Sequence, residues 1–212
     1  MPPKTPGNEL RRKSRVRVHT GRSRGTMTLR PRADFTITSD MDIVSVMFEI
    51  CNPFPGRLLA SAMPFGPHDL DRSLWDAYRT EGVTHVLMLV SDAEAQAATQ
   101  RDLAAFYRQH GMTVWQHPIP DFEVPGDTDG FRAMLHRVAE ALQDPTTTLV
   151  VHCAAGRGRT GLFLACWAQE ILGLSPEAAL RWVRRYIPGA VETRAQEEFV
   201  LTWPLRVLTL SE

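Results

Sequence analysis

The chain has no lysine after Lys13, holds three cysteines among its 212 residues, and contains no apolar run long enough to cross a membrane. Each absence excludes something. A nucleotide-binding loop of the form G-x-x-x-x-G-K-[ST] needs a lysine behind its glycines, so none can form beyond residue 13. An odd and sparse set of cysteines, Cys51, Cys153 and Cys166, cannot staple a disulfide-rich fold. It suits a reducing compartment, where a free thiol can do chemistry. A membrane helix requires about 18 or more consecutive apolar residues. The basic N-terminus leads into no apolar segment of the kind a secretory signal carries. A cytoplasmic protein, expected as a monomer, is the resulting reading.

Net charge is absent too, but only in sum, with 24 basic groups against 24 acidic ones. Residues 1–32 carry ten Lys or Arg against Glu9 alone, so residues 33–212 hold the acidic excess. A basic stretch with few apolar residues cannot bury a core and is expected to be disordered. It is either a solvated tail or a contact for an anionic surface, nucleic acid or lipid. Residues 33–212 are long enough for a single domain with a full core.

Residues 33–56 are ambiguous. Ile43 to Phe48 is apolar enough for a strand or a covering segment, and Asn52-Pro53-Phe54-Pro55-Gly56 ends it. From Arg57 the pattern is regular. Strands are expected over Leu58–Met63, Thr84–Val90, Thr113–His117 and Thr148–His152. Between them, helices are expected over Asp71–Arg79, from Ser91 to about His110, and on the face marked by Phe131, Met134, Leu135, Val138 and Leu142. Ser91 with Glu94 three residues on reads as a capping box. After the last strand come three helices: Leu162–Leu172, apolar nearly all round; one capped by Ser175-Pro176; and Glu192 to about Leu208, kinked at Pro204. The fold class is therefore α/β. A central, mostly parallel sheet of four to five strands is flanked by helices and followed by a helical segment. The sequence has no internal repeat.

The loop between the last strand and its helix, Val151 to Gly161, concentrates the chemistry. Gly156-Arg157-Gly158-Arg159-Thr160-Gly161 matches G-x-G-x-x-G literally. A dinucleotide site, however, needs a further parallel strand ending in an acidic residue about 20 positions on. Here the chain continues into helices. What remains is a cysteine at a strand end beside a helix N-terminus, whose dipole favours a thiolate, as does Arg159. The amides of Ala154, Ala155, Gly156, Arg157 and Gly158 can converge into a nest for a tetrahedral oxyanion. Arg159 can fork two donors onto phosphate oxygens, which a lysine cannot. Thr160 is placed to hydrogen-bond the sulfur.

His152-Cys153-Ala154-Ala155-Gly156-Arg157-Gly158-Arg159-Thr160-Gly161 resembles, at every fixed position, the His-Cys-x-x-Gly-x-x-Arg-Thr-Gly loop of the cysteine-dependent protein tyrosine phosphatase superfamily. The resemblance covers about residues 57–203 and is most similar to the small dual-specificity and kinase-associated branch. Gly56 to Pro64 looks like that group's entry strand, Pro118-Ile119-Pro120-Asp121 like its general-acid loop, and Val191 to Phe199 like a segment after the signature. The resemblance implies the family's fold and a two-step reaction without metal or cofactor. Cys153 would attack phosphorus, Asp121 would protonate the leaving oxygen, and the phosphocysteine would be hydrolysed by water with Asp121 as base. Arg159 and the loop amides would hold the transition-state charge.

Plainer readings stand beside these. Asp121 could be a turn former, with Glu123, Asp127 or Asp129 near enough to replace it. His152 points to the opposite face of its strand from Cys153, so structural support of the loop fits it better than a catalytic base. Cys166 reads as core, with a disulfide to Cys153 under oxidation left open. Gln196 is a candidate for orienting the hydrolytic water, or an exposed helical glutamine. Arg157 is a second cation at the rim; the resemblance associates a basic residue there with phosphoinositide-directed members. The stripe Arg181, Arg184 and Arg185 is adequately explained by solvent and helix dipole. Three functions follow: hydrolysis of phosphotyrosine, with phosphoserine and phosphothreonine as further substrates; hydrolysis of phosphoinositides or inositol phosphates; and a non-catalytic phosphate-binding module. The partner in each is a phosphorylated protein, lipid or inositol phosphate.

Overall fold

A computed structural model describes residues 47–203. The basic stretch 1–32, the apolar residues before Met47 and the expected kink at Pro204 lie outside the described residues. Within them, five strands form one sheet: β1 (Met47–Ile50), β2 (Arg57–Ser61), β3 (His85–Met88), β4 (Thr113–Gln116) and β5 (Thr148–His152), in the order β1-β2-β5-β3-β4. β2, β5, β3 and β4 are mutually parallel, and β1 pairs antiparallel with β2. The expected mostly parallel sheet is thus present. The fifth strand comes from the ambiguous segment before residue 56, where the Asn52 side chain accepts the Phe54 amide at 2.9 Å and turns the chain.

β5 is central and fully buried, which explains its unbroken apolar run Leu149-Val150-Val151. Its register pairs His152 with Ser61 on one side and with Met88 on the other. The C-terminal ends of the parallel strands therefore align, and the loops that leave them gather at one edge of the sheet. In open α/β sheets this is where ligands bind.

Among the described residues seven helices accompany the sheet: α1 (Leu74–Thr80), α2 (Asp92–Thr99), α3 (Leu103–Gln109), α4 (Thr128–Ala141), α5 (Gly158–Leu172), α6 (Pro176–Tyr186) and α7 (Arg194–Thr202). Two differ from expectation in a way that matters. The single helix expected from Ser91 to His110 is two, because Gln100 takes φ +58° and the Asp102 side chain caps a new helix at the Ala105 amide. And α5 starts at Gly158 instead of Leu162, so Arg159 and Thr160 lie in its first turn. α5 is apolar nearly all round because it is buried from Leu162 to Gln169. Gly173 at φ +66° ends it, and Ser175 caps α6 by accepting the Ala178 amide.

Among the described residues, no helix is long and apolar enough to cross a membrane.

Candidate active site

The loop from β5 to α5 is seated on the end of β2. The Met63 amide donates to Ala154 O at 3.0 Å. Gly156 takes φ +75° and lies so close to β2 that a Cβ there would be 2.5 Å from the Ser61 carbonyl carbon and oxygen. Only glycine meets both demands. The Gly156 amide points back at Cys153 Sγ, 3.3 Å away, and the thiol is 2 % exposed at the floor of the loop. The amides of Ala154, Ala155, Arg157, Gly158 and Arg159 donate to no backbone acceptor among the described residues. Free amides in a tight loop that runs into a helix N-terminus make an anion cradle.

Arg159 lies in the first turn of α5 next to this loop, and its side chain is 2 % exposed. Glu94 holds the guanidinium end-on, with Oε2 to Nη1 at 2.8 Å and Oε1 to Nη2 at 2.7 Å. The second Nη1 hydrogen goes to Ile119 O at 3.1 Å. The edge formed by Nε and the remaining Nη2 hydrogen carries no hydrogen bond among the described residues. Such an edge is the kind of fork by which a guanidinium can hold a carboxylate or a phosphate. Burial works to lower the Arg159 pKa, but Glu94, the Cys153 sulfur and Asp121 outweigh it and leave it raised, so the cation is secure.

The Asp121 carboxylate stands beside Nη2. Its Oδ1 lies 3.0 Å from Arg159 Nη2 and accepts the Phe122 amide at 3.1 Å, while the side chain stays 56 % exposed. Of the four acidic candidates, Asp121 is the one in contact with Arg159. Asp127 caps α4 by accepting the Gly130 amide at 2.9 Å, and Asp129 sits in the first turn of that helix. Glu123 is exposed, and its carbonyl accepts a bond from Gln196.

Beneath the loop, His152 is fully buried. Its Nδ1 is 3.0 Å from Cys153 O and its Nε2 is 3.3 Å from the Tyr107 hydroxyl. The Tyr107 ring stacks near Tyr78, whose hydroxyl is 2.8 Å from Ser61 Oγ. Burial, partly offset by the Cys153 carbonyl, lowers the His152 pKa to about 4, so the imidazole is neutral at pH 7. Burial pushes both tyrosine pKa values up. The result is a neutral hydrogen-bonded chain under the cysteine, and no general base for it.

Several sequence readings need correction. Glu94 does not complete a capping box; Ser91 accepts the Glu94 amide, but the Glu94 carboxylate is spent on Arg159. Thr160 Oγ1 is buried and has no hydrogen-bond partner among the described residues, so it does not bond the sulfur; the Gly156 amide does. Gln196 is 1 % exposed, not a surface side chain, and its amide is engaged at both ends. Its partners are described below. All three cysteines are free, and burial pushes the Cys166 thiol well up. In the helical stripe, Arg184 pairs with Glu197 at 2.7 Å, while Arg181 and Arg185 are exposed. Among the described residues, no group of three or more His, Cys, Asp or Glu is arranged to hold a metal ion.

A sequence family described as "Polymorphic toxin system, DSP-PTPase phosphatase" matches residues 71–170. Tyrosine-protein phosphatase cdc-14 of Caenorhabditis elegans is 34% identical over 148 residues, 65% of this chain and 19% of its own length. Cyclin-dependent kinase inhibitor 3 of Rattus norvegicus is 29% identical over 126 residues, 58% of either chain. The chain thus spans at most 58% of the length of these two curated relatives. The crystal structure of Tk-PTP in its active form is similar at 33% identity with a TM-score of 0.55, covering 69% of this chain and 89% of that one.

Proposed function

Because the chain belongs to the cysteine-dependent protein tyrosine phosphatase superfamily, in its dual-specificity-like branch, we propose that it is a phosphomonoester hydrolase acting through a phosphocysteine, with phosphotyrosine as substrate. Phosphoserine and phosphothreonine extend the substrate range. The observation that carries this reading is the Arg159 guanidinium. Glu94 fills its end, its Nε carries no hydrogen bond among the described residues, and Asp121 stands 3.0 Å from its Nη2, where an incoming phosphate would meet it.

A phosphate held by the open edge and the loop amides would sit over Cys153 Sγ, with its ester oxygen toward Asp121. In the first step the S–P bond forms as the ester P–O bond breaks, and the proton of Asp121 goes to the leaving oxygen. In the second, a water oxygen attacks phosphorus, the S–P bond breaks back to the thiolate, and the water proton passes to Asp121. The products are the free hydroxyl compound and inorganic phosphate, and the enzyme is restored. The amides of Ala154, Ala155, Arg157, Gly158 and Arg159, with the Arg159 guanidinium, bear the charge that spreads over the equatorial oxygens. Chemistry built on a free thiol suits the cytoplasm.

The test is hydrolysis of aryl phosphates by wild type, Cys153→Ser and Asp121→Ala. Cys153→Ser should abolish turnover. Asp121→Ala should reduce it by about 10²–10⁴-fold, most for poor leaving groups, the usual range for general acid catalysis. Turnover by Cys153→Ser at the wild-type rate would end this reading.

One observation favours a second substrate class. The Arg157 side chain is exposed at the rim and carries no ion pair among the described residues. A second cation beside the cradle suits a substrate with more than one phosphate, as in phosphoinositides. Selective loss of phosphoinositide over phosphopeptide hydrolysis in Arg157→Ala would favour it; equal loss would not.

A further inference from the structure

The segment that leads into α7 touches both halves of the site. On one side it is fixed to the cysteine loop. The Val191 amide donates to Arg157 O at 3.4 Å. Gly158 and Gly161 let the segment lie directly on the first turn of α5. A Cβ on Gly158 would be 2.6 Å from Glu192 Oε2, and one on Gly161 would be 2.8 Å from the Val191 amide nitrogen. Val191 itself is buried at φ +63°, a conformation that costs a β-branched residue on the order of 1–3 kcal/mol. The strain is tolerated where the chain is held from both sides.

On the other side the same segment grips the Asp121 loop. Thr193 Oγ1 donates to Phe122 O at 3.1 Å, and Gln196 Nε2 donates to Glu123 O at 3.2 Å. These are the two carbonyls directly after Asp121. Phe122 is also off the common backbone region, at φ +63°; the turn bond from the Glu123 amide to Pro120 O at 3.1 Å spans it, and the two donors tie its peptide planes from outside the loop. Both donors belong to the capping box of α7. Thr193 Oγ1 accepts the Gln196 amide, and Gln196 Oε1 accepts the amides of Glu192 and Thr193 at 3.0 and 3.3 Å.

We propose that Thr193 and Gln196 are positioning residues that hold Asp121 over the open edge of Arg159, with the Val191 segment bracing that loop against the cysteine loop. The proposal rests on the reading of Asp121 as proton donor. It assigns Gln196 a place different from the water-holding one. Both lone-pair positions of Oε1 are taken, Nε2 is bonded to Glu123 O, and the side chain is sealed from solvent. Holding two consecutive carbonyls fixes the peptide planes that carry Asp121, and a misplacement of about 1 Å in such a group costs on the order of 10²-fold in rate.

Thr193→Asp and Gln196→Glu separate this role from a structural one. Asp at the N-cap and Glu three residues on keep the acceptors that α7 needs, so the helix cap survives. Each replaces the donor aimed at a loop carbonyl with an oxygen that repels it. Thr193→Ser keeps both functions and serves as the rescue. The measurement is kcat/KM across aryl phosphates from nitrophenyl to unsubstituted phenyl, with the pH profile of each variant. For the poorest leaving group, both disrupting variants should fall about 10-fold or more, as expected for a displaced catalytic group. The nitrophenyl ester should fall far less, steepening the leaving-group dependence toward that of Asp121→Ala, while Thr193→Ser should track wild type. A loss equal across leaving groups, or confined to Gln196→Glu, overturns the proposal. Should Asp121→Ala show no leaving-group dependence while Cys153→Ser is inactive, the proton-donor reading fails first and the brace with it. If Asp121→Ala behaves as expected and the two variants match wild type, the brace alone fails.

Discussion

Removing Glu94 tests whether the site depends on a guanidinium held from behind. In Glu94→Ala the Arg159 end loses two short charge-assisted bonds, 2.8 and 2.7 Å, while its side chain stays 2 % exposed. Breaking a fully buried pair costs about 3–5 kcal/mol, because a charge is stranded. A solvated pair is worth roughly 0–1 kcal/mol. Glu94 is 30 % exposed, so water can enter the space it vacates, and Asp121 remains as a second counter-charge. About 2–3 kcal/mol is the reasonable middle, which for a domain of this size lowers Tm by roughly 5–10 °C.

The kinetic effect should be separable from that loss. Released at its end, the guanidinium no longer presents Nε and Nη2 to the cradle, and Asp121 is free to take both of its edges. We expect kcat/KM for an aryl phosphate to fall about 10–100-fold when assayed well below the new Tm, as for other lost positioning contacts. Glu94→Gln keeps the shape and one acceptor and should lie between. Thermal unfolding and steady-state kinetics decide the matter. An unchanged Tm together with kcat/KM within a factor of two would show that Glu94 is an ordinary helix-cap residue, and the Arg159 geometry described above would lose its significance.

Acid sensitivity should follow His152, whose pKa falls from 6.5 to about 4 on burial. Between those values the unfolded chain binds the extra proton, so stability declines as pH drops from about 6.5 toward 4, by up to roughly 3 kcal/mol from this group. His85 and His117 are lowered for the same reason and act in the same direction, so the measurement is the difference in urea midpoint between wild type and His152→Gln across that range. A parallel decline in both proteins would contradict the assignment. Gly156→Ala should cost at least about 2 kcal/mol, because it adds left-handed strain to a Cβ placed 2.5 Å from rigid backbone, whereas a Cβ on Gly158 meets only side-chain atoms, Glu192 Oε2 at 2.6 Å and the Gln196 amide at 3.1 and 3.3 Å, and should be milder; denaturant midpoints rank the two. Tyr107→Phe removes the hydroxyl 3.3 Å from His152 Nε2 and should cost about 1 kcal/mol, with activity measured alongside to see whether the loop shifts.

What could be read from the sequence was local, and the reason is physical. The alternation of apolar runs with 3.6-residue patterns, the Ser175-Pro176 cap and the glycines between Cys153 and Arg159 are each decided within a few residues. They gave the parallel sheet, the helical tail and the anion loop. The errors occurred where two distant segments compete for one side chain. Ser91 and Glu94 have the spacing of a capping box, yet Arg159, 65 residues away, offers the carboxylate two strong donors instead of one weak one. Gln196 has the spacing of a surface position on α7, yet the loop at Glu123, 73 residues away, covers it. The break of the expected helix at Gln100 was missed for a related reason, since residues 100–102 carry no glycine or proline and the turn depends on Asp102 capping α3.

The same distinction explains how the site is assembled. The cysteine loop is nearly self-sufficient: its strand, its glycines and its helix N-terminus lie within 15 residues, from Thr148 to Leu162. Asp121 has less local support, a single turn. It stands in a loop that begins Pro118-Ile119-Pro120, with a carboxylate more than half exposed, and within that loop it has the Phe122 amide at 3.1 Å and the turn bond from the Glu123 amide to Pro120 O at 3.1 Å. That turn is tied from elsewhere as well: by Arg159 through the Ile119 carbonyl before it, and by Thr193 and Gln196 through the carbonyls after it. A nucleophile can be read from a motif because the motif builds its surroundings. A proton donor on a loop, as we propose Asp121 to be, is harder to read, because contacts that help place it come from α5 and α7, encoded far along the chain from it, and sequence spacing alone does not reveal them.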